Sequence, residues 1–211
     1  MLEYTKIETI FDRATDGSKK LIEGKFRNRT IEYLSSNLWV CTEKIDGTNI
    51  GVVWDGHNVS FQGRTANAQL PARLVNRLQE LFSSNEAEEL FEQKFGETEV
   101  ILFGEGFGAG IQNGGNYLAD RVDFILFDVY LPEKGIWLTR DSVDDIARTF
   151  GIRVVPVVKI CTLKEAVQYV KTKPNSSIGT AKMEGVVCRP LFELTDRLGK
   201  RVIVKIKACD F

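Results

Sequence analysis

Residues 43–49, EKIDGTN, lie between two short apolar stretches and are the most informative part of the chain. Leu38–Val40 leads into this segment and Ile50–Trp54 leads out of it. Both stretches have the composition of strands, and Asp46-Gly47 is typical of the turn between two antiparallel strands. Lys44 is therefore predicted at a strand end beside a tight turn, where its amine can point into a cleft. Because Lys-x-Asp-Gly also fits an ordinary hairpin, the rest of the chain must decide.

Short apolar strands continue along the chain, with a few helical segments between them. After the first two, which should begin an antiparallel meander, the predicted strands are Val59–Phe61, Val100–Phe103, Phe124–Val129, Gly185–Cys188 and Val202–Ile206. Helices are predicted over Leu70–Phe82, Val143–Phe150 and Thr162–Val170, the last with a capping box formed by Thr162 and Glu165. Because the elements do not alternate as βαβ units, the pattern predicts an α+β domain of antiparallel sheets flanked by helices.

Length and composition narrow the class of protein. With 211 residues, 43% of them hydrophobic and 27% charged, the chain is expected to form one domain over residues 1–211. The sequence has no signal-peptide core and no apolar run long enough to span a membrane, so we expect a cytoplasmic protein without a membrane partner. The four cysteines are scattered without a CxxC pair, which favours reduced thiols over a zinc site or a disulfide framework.

Charge is unevenly distributed although the net charge is only −1. Arg13–Arg29 holds six cations against two anions, and Lys182–Lys207 holds seven cations against three anions, whereas Glu80–Glu99 is acidic. Two basic segments that meet on one face would attract phosphates. Solvated surface charge explains the same pattern, and the charges alone leave both interpretations open.

Several short segments after EKIDGTN contain residues of the types that can bind nucleotides. Lys205 and Lys207 alternate with Val204 and Ile206, so the two lysines are predicted on one face of a strand. In chain order the elements are Arg64 within Gly63–Thr65, Glu105 within Phe103–Gly106, Phe127-Asp128, Glu184-Gly185, and the pair Lys205 and Lys207.

Taken together, these elements resemble the covalent nucleotidyltransferase superfamily of ligases and capping enzymes, and the resemblance runs from Trp39 to Lys207. It implies a nucleotidyltransferase domain with an ATP-grasp-like fold. Each motif alone is short, and their order is what makes the resemblance specific. Its motifs I, III, IIIa, IV and V are matched by Lys44–Gly47, by Glu105, by Phe127 with Asp128, by Glu184-Gly185, and by Lys205 with Lys207.

Within that superfamily, Glu43, Asn49 and Gly63–Thr65 resemble the RNA ligase 2 family. The resemblance implies an ATP-dependent RNA ligase in which Lys44 takes up AMP, passes it to an RNA 5′-phosphate and allows sealing to a 3′-hydroxyl. Asp46 departs from those family members that carry histidine at this position. Several relatives also have a further C-terminal domain, whereas this chain ends four residues after Lys207, so we expect no appended domain.

The chemistry of a lysine nucleophile explains why other cations should be close to it. A lysine has a pKa of roughly 10.4, so about one side chain in a thousand is a free amine near pH 7.5. Lowering that pKa by about three units needs on the order of 4 kcal/mol, which burial and nearby cations can supply. We therefore expect Lys44 to be the nucleophile and Lys205, Lys207 and a metal to assist it and to neutralise phosphate charge.

The resemblance also implies roles for the remaining residues. Glu184 would bind Mg²⁺, with Mn²⁺ able to substitute, and Glu105 would contact the ribose or the metal. Phe127 would stack on the adenine, although it lies in an apolar strand and also fits a core position. The other expected contacts to ATP or to the RNA end are Glu43, Ile45, Asp46, Asn49 and Arg64.

Several alternatives remain at this point. DNA ligase and guanylyltransferase use the same motifs, and a nucleotide- or RNA-end-binding module that has lost turnover would keep the same fold. Gly104–Gly110 contains a G-x-G-x-x-A spacing, but a dinucleotide fold needs a helix immediately afterwards and residues 111–116 are predicted to form a loop. His57 lies in a predicted turn without a second histidine, so it should not bind a metal. The sequence leaves the oligomeric state open.

Overall fold

The computed structural model describes residues 2–18, 20–65, 68–112 and 116–211. Lys19 of the first basic segment and residues 113–115 of the predicted loop lie outside the described residues. The strands are β1 Glu8–Thr9, β2 Phe11–Arg13, β3 Leu21–Phe26, β4 Trp39–Lys44, β5 Thr48–Trp54, β6 Val59–Gly63, β7 Val100–Gly108, β8 Val122–Leu131, β9 Ile136–Trp137, β10 Arg153–Val154, β11 Val157–Cys161, β12 Gly185–Pro190 and β13 Val204–Lys207. The α-helices are α1 Arg29–Leu34, α2 Ala72–Phe82, α3 Asn85–Phe95, α4 Arg140–Thr149 and α5 Leu163–Lys171. None of the described helices combines the length and the apolar character needed to cross a bilayer.

The chain folds into two compact units. The insert unit comprises Met1–Tyr4 and Asp46–Val155, and the split unit comprises Thr5–Ile45 and Pro156–Phe211. The chain passes from the split unit into the insert unit directly after Ile45, within the EKIDGTN segment. The residues expected to carry chemistry are thus divided between the two units.

The split unit is built on a five-stranded sheet in the order β1-β13-β12-β4-β11, with β2 and β3 paired separately. Strand β12 is central and antiparallel to both neighbours, so Gly185 lies opposite Lys44 on one side and opposite Lys207 on the other. Helix α5 buries Leu163, Ala166, Val167 and Val170, and its predicted capping box is present. These side chains join a core that includes Trp39, Val186, Val204 and Ile206.

The insert unit is built on a second sheet in the order β10-β8-β7-β5-β6, with β9 added to β8. Helix α2 contributes buried residues at helical spacing, namely Leu74, Leu78 and Phe82. The core of this unit is rich in aromatic side chains, and Trp54 stacks on Phe91 with ring centroids 5.4 Å apart.

The structure corrects one feature of the predicted meander. Strands β4 and β5 belong to different sheets, so Asp46-Gly47 is the connection between two sheets and not a hairpin turn. Asp-Gly has the same local preference in both settings, which is why the sequence could not separate them. The structure also adds elements that were not predicted, among them α1 and α3, and it begins the last strand at Val204 and not at Val202.

Candidate active site

Lys44 lies at the carboxyl end of β4, and its amine contacts the carboxylate of Glu184, the residue directly before β12. Because Gly185 is the register partner of Lys44, the preceding residue Glu184 is brought to the same end of the sheet. The Nζ atom of Lys44 donates a hydrogen bond to Oε2 of Glu184 at 2.6 Å. Both side chains are largely buried, which strengthens the interaction relative to an exposed ion pair.

A second lysine uses the other oxygen of the same carboxylate. Lys207 lies on β13, and its Nζ is 2.9 Å from Oε1 of Glu184. The hydrogen bond with Glu184 raises the pKa of Lys207, although partial burial acts in the opposite direction. Glu184 therefore bridges the two lysines, a convergence of residues 44, 184 and 207 that the sequence predicted only through the family resemblance.

The strand face predicted for the two C-terminal lysines is confirmed. Along β13 the burial pattern alternates, so Val204 and Ile206 are buried while Lys205 and Lys207 are half-exposed. Lys205 lies opposite Val187 of β12. Both lysines therefore project from the side of the sheet that does not face the core of the split unit.

Gly185 allows the strands that carry these lysines to approach each other closely. A Cβ atom built on Gly185 would lie 2.1 Å from the carbonyl oxygen of Ile206 and 2.8 Å from the Cα of Lys207. No side chain fits at such distances. The glycine of the Glu184-Gly185 motif is thus required by backbone packing next to Lys207.

Glu43, which was expected to bind the nucleotide, is buried in the split unit. One of its carboxylate oxygens accepts a hydrogen bond from the hydroxyl of Ser176, and the other accepts one from the backbone N–H of Ser177 at 2.9 Å. The described contacts of Glu43 therefore fix the segment that leads from α5 towards Glu184. Ser176 lies in no motif, so the sequence does not mark it as a functional residue. Ile45, also in the expected set, is buried as well.

In the insert unit, the residues after Lys44 are placed by close backbone contact. A Cβ atom on Gly47 would lie 2.3 Å from the carbonyl oxygen of Gly106 and 2.9 Å from Cγ of Glu105. The backbone N–H of Asp46 donates to the hydroxyl of Tyr117 at 3.3 Å. The Asp-Gly pair is therefore held against the glycine-rich end of β7.

Asn49 and Glu105, both predicted to contact the nucleotide, are direct neighbours across β5 and β7. Register partners on adjacent strands present their side chains on the same face. Both residues are half-buried, and an amide next to a carboxylate offers hydrogen-bond donors and acceptors suited to a ribose hydroxyl. Arg64 is exposed immediately after β6 ends at Gly63.

Phe127 lies at an irregularity of β8. Phe103 pairs with Asp128 and Gly104 pairs with Leu126, so Phe127 is the extra residue of a β-bulge. Bulges of this kind turn a side chain away from the regular alternation and are frequent beside active sites. Phe127 is half-buried in an otherwise buried stretch, which separates it from the core positions on either side.

A tyrosine from the start of the chain secures this bulge. The hydroxyl of Tyr4 donates a hydrogen bond to Oδ2 of Asp128, which is fully buried. The Tyr4 ring also meets Phe127 edge-on, with centroids 5.0 Å apart. Neither periodicity nor a motif distinguishes Tyr4 in the sequence.

The described residues contain no cluster of three or more His, Cys, Asp or Glu side chains arranged to hold a metal. Mg²⁺ does not require such a cluster, since it keeps several waters and binds through one or two carboxylates together with substrate phosphates. Glu184 and Glu105 fit that mode as single carboxylates. Each oxygen of Glu184 already contacts a lysine, so a cation bound there would share the carboxylate with Lys44 and Lys207 or displace one of them.

Five cations of the two basic segments have acidic partners among the described residues. In Arg13–Arg29, Arg13 pairs with Asp210, Lys25 pairs with Asp12, and Arg27 pairs with Asp12 and Glu8. In Lys182–Lys207, Arg201 pairs with Glu193 and Lys207 pairs with Glu184. The first segment is therefore less available to phosphates than its composition indicated.

The chain matches the model of a protein family described as RNA ligase over residues 37–207. No curated protein matches it significantly. Solved structures of Naegleria gruberi RNA ligase are similar: an apo aspartate-to-alanine variant at 18% identity with a TM-score of 0.70, a lysine-to-alanine variant with ATP and Mn at 20% and 0.69, and the enzyme with PPi at 21% and 0.68. At these identities the similarity establishes the fold, and it confirms the predicted nucleotidyltransferase architecture.

These matches cover nearly all of this chain but only part of the relatives. The alignments span 98–99% of the chain described here and 56% of each Naegleria gruberi chain. The chain thus corresponds to little more than half the length of the structures that it matches.

Proposed function

The chain belongs to the RNA ligase family, and from this premise we propose that it is an ATP-dependent RNA ligase whose nucleophile is Lys44. In this proposal the adenylyltransferase domain comprises residues 1–211. The observation that carries the proposal is the bridge from Lys44 through Glu184 to Lys207, with distances of 2.6 and 2.9 Å. An ordinary surface ion pair requires only one lysine for each carboxylate, whereas here two lysines share Glu184.

In the first step, Nζ of Lys44 attacks the α-phosphorus of ATP. A P–N bond forms, the bond between the α-phosphorus and the bridging oxygen breaks, pyrophosphate leaves and the amine loses a proton. Lys205 and Lys207 supply positive charge for the phosphates, which is the main contribution that a protein can make to this type of transfer. A divalent cation, Mg²⁺ or Mn²⁺, held by Glu184 or Glu105 would add further neutralising charge when bound.

The insert unit supplies the residues that we assign to the nucleoside. Phe127 would stack on the adenine, while Asn49 and Glu105 would hydrogen-bond to the ribose. Their half-buried positions are consistent with groups that exchange solvent for a ligand. Asp46 and Arg64 complete this set, and Glu43 with Ile45 would support Lys44 from within the split unit.

In the later steps, AMP passes from Lys44 to an RNA 5′-phosphate, and a 3′-hydroxyl then displaces AMP to form the phosphodiester. RNA ends are accordingly the proposed partners. A cytoplasmic location is part of the proposal, because a reducing compartment would keep Cys41 and Cys188 as thiols although their sulfurs lie only 3.1 Å apart.

The decisive experiment is covalent labelling with α-labelled ATP and Mg²⁺, followed by a denaturing gel. We expect a protein-bound label that is stable to base and labile to acid, as a phosphoamide is, and no label in Lys44→Ala. Lys171→Ala is the matched control, because Lys171 is also an ion-paired lysine of the split unit, bound to Glu23. Labelling of Lys44→Ala would refute the assignment, and preferential labelling by GTP would favour a guanylyltransferase.

A further inference from the structure

The connection between β12 and β13 carries a group of exposed apolar side chains. We call Leu191–Arg201 the 191–201 hairpin. Phe192 is 76% exposed and Leu198 is 82% exposed, and Leu191 and Leu194 are also exposed. Exposing an aromatic side chain to this extent is unfavourable and gives nothing to the core of the split unit. A binding role would account for it.

Hydrogen bonds and an ion pair within the hairpin define its backbone conformation. Oδ1 of Asp196 accepts hydrogen bonds from the backbone N–H groups of Leu198 and Lys200, at 2.8 and 3.0 Å. Thr195 and Arg201 form a bridge across the hairpin. At its base, Nε of Arg201 lies 2.5 Å from Oε1 of Glu193, and the Arg201 side chain is only 2% exposed.

The accessible charge of the hairpin is positive. Its two carboxylates are engaged, since Asp196 closes the turn and Glu193 neutralises the buried Arg201. Arg197 and Lys200 are both exposed. An exposed aromatic ring together with exposed cations on a preformed loop is the combination that binds single-stranded nucleic acid, because bases stack on the ring and phosphates meet the cations.

The position of the hairpin relates it to the nucleophile along a single sheet. Gly185 lies opposite Lys44 at one end of β12, and Pro190 lies at the other end, where the hairpin begins. At about 3.3 Å per residue, the strand separates the two by roughly 17–20 Å. A strand whose bases remain stacked, at about 3.4 Å per nucleotide, covers this distance in about five or six nucleotides.

We propose that the 191–201 hairpin contacts the RNA several nucleotides away from the end that reacts at Lys44, with a base stacked on Phe192 and phosphates bound by Arg197 and Lys200. This inference rests on the proposed function, because it takes RNA to be the substrate. Within the second basic segment, Lys182–Lys207, it assigns phosphate binding by the hairpin to the two exposed cations Arg197 and Lys200.

The test measures RNA affinity by fluorescence anisotropy, and the KM for pre-adenylated RNA, in Phe192→Ala and in the double variant Arg197→Glu with Lys200→Glu. The matched controls in the split unit are Tyr33→Ala, which removes an aromatic residue that is 85% exposed, and Lys164→Glu, which reverses an exposed cation on α5. RNAs of 4 and 20 nucleotides are compared at one salt concentration. Self-adenylylation with ATP is measured in parallel, since it involves no RNA.

We expect Phe192→Ala to weaken binding and raise the KM for the 20-nucleotide RNA by about tenfold, as the loss of one stacked base does. The double variant should lose at least as much affinity for the 20-nucleotide RNA, and its remaining affinity should depend less steeply on salt concentration. Binding of the 4-nucleotide RNA, self-adenylylation and both controls should be unchanged, because the hairpin lies beyond the reach of a short RNA.

Three results would overturn the inference: equal KM values in Phe192→Ala and Tyr33→Ala, an effect that is the same for both RNA lengths, or a dimer in sedimentation that Phe192→Ala dissociates. The last result would assign the hairpin to a second copy of the chain. The proposed function fails separately. If the wild-type protein never takes up AMP but its Phe192→Ala variant loses affinity for the 20-nucleotide RNA, the proposed ligase activity is refuted. The RNA-binding role of the hairpin is then retained.

Discussion

The two units hold their motif residues by different physical means. In the split unit, Lys44, Glu184 and Lys207 are held by charge, through a carboxylate that bridges two amines. In the insert unit, the corresponding residues are held by shape, since Gly47 touches the backbone of Gly106 and Phe127 projects from a bulge. Charge can be redistributed when a phosphate or a cation binds, whereas backbone contacts cannot.

This difference matches what each set is proposed to do. In the proposed reaction, Lys44 changes from an ion-paired amine to a phosphoamide, and Glu184 is then left to bind other charges. An arrangement built from ion pairs can follow such a change. The nucleoside undergoes no chemistry, so a rigid surface of strand backbone and an aromatic ring suits it better. Substitutions in each unit can show whether charge and shape are divided in this way.

The largest effect after loss of Lys44 itself is expected from Glu184→Gln. The amide keeps the shape of the side chain but removes the charge that organises both lysines. Self-adenylylation should fall roughly 100-fold, the scale found when one preorganised electrostatic group is removed from an active site. The rate is measured by single-turnover labelling. Glu23→Gln, which removes the carboxylate paired with Lys171, is the control and should retain its full rate. Similar rates in both variants would show that charge does not organise the split unit's site.

The complementary change in the insert unit is Gly47→Ala. The added methyl would overlap the carbonyl oxygen of Gly106 at 2.3 Å, so the free energy of unfolding should fall by about 1–3 kcal/mol. Urea denaturation measures this value. Gly51→Ala in β5 is the matched control, because its methyl would meet only side-chain atoms of Gln62, the nearest at 2.8 Å, and should cost less. Equal losses would mean that the backbone at Gly47 can move.

Phe127→Ala separates a stacking role from a packing role. A ring that stacks on adenine should raise the KM for ATP about fivefold when removed, in line with the strength of aromatic pairs, and Phe127→Trp should restore it. Phe107, fully buried in the same unit, is the control, and Phe107→Ala should lower stability severely. If Phe127→Ala resembles Phe107→Ala in stability and leaves the KM unchanged, Phe127 is a core residue.

The sequence names candidate residues but says little about their arrangement. Lys44 and Glu184 are candidates because of the order of the motifs along the chain, and the face shared by Lys205 and Lys207, which the structure confirms, follows from the local alternation of one strand. The structure adds why two motif glycines are needed, since Gly47 and Gly185 each lie where another backbone passes too close for a Cβ atom. A local pattern shows that a turn is present but not which backbone it approaches.

The residues that the sequence analysis missed depend on pairings distant in the chain. Tyr4 donates a hydrogen bond to Asp128, and Ser176 donates one to Glu43. Cys41 lies beside Cys188 although the cysteines are scattered in the sequence. The bulge at Phe127 likewise depends on how β7 and β8 align, which the composition of neither strand specifies. Such pairings are set by tertiary packing, so single-sequence patterns do not contain them.

The smallest predicted effect concerns the stability of the charged site at alkaline pH. The hydrogen bond with Glu184 raises the pKa of Lys207 above its ordinary value of 10.5. A lysine whose pKa is raised on folding stabilises the protein fully below its unfolded pKa, and this contribution is lost as the pH rises through the folded pKa. Wild type should therefore lose more stability between pH 8 and about pH 11 than Lys207→Met, which lacks the titrating amine.

Other lysines and tyrosines also titrate in this range, so the measured quantity is the difference between proteins in urea unfolding at each pH. Lys164→Met, which removes an exposed lysine of α5, should follow wild type. Because Lys207 is partly exposed, solvent screens the interaction and the difference should be small. A Lys207→Met curve parallel to wild type across the whole range would show that the bridge to Glu184 does not stabilise the split unit, and that charge places these residues without holding the fold together.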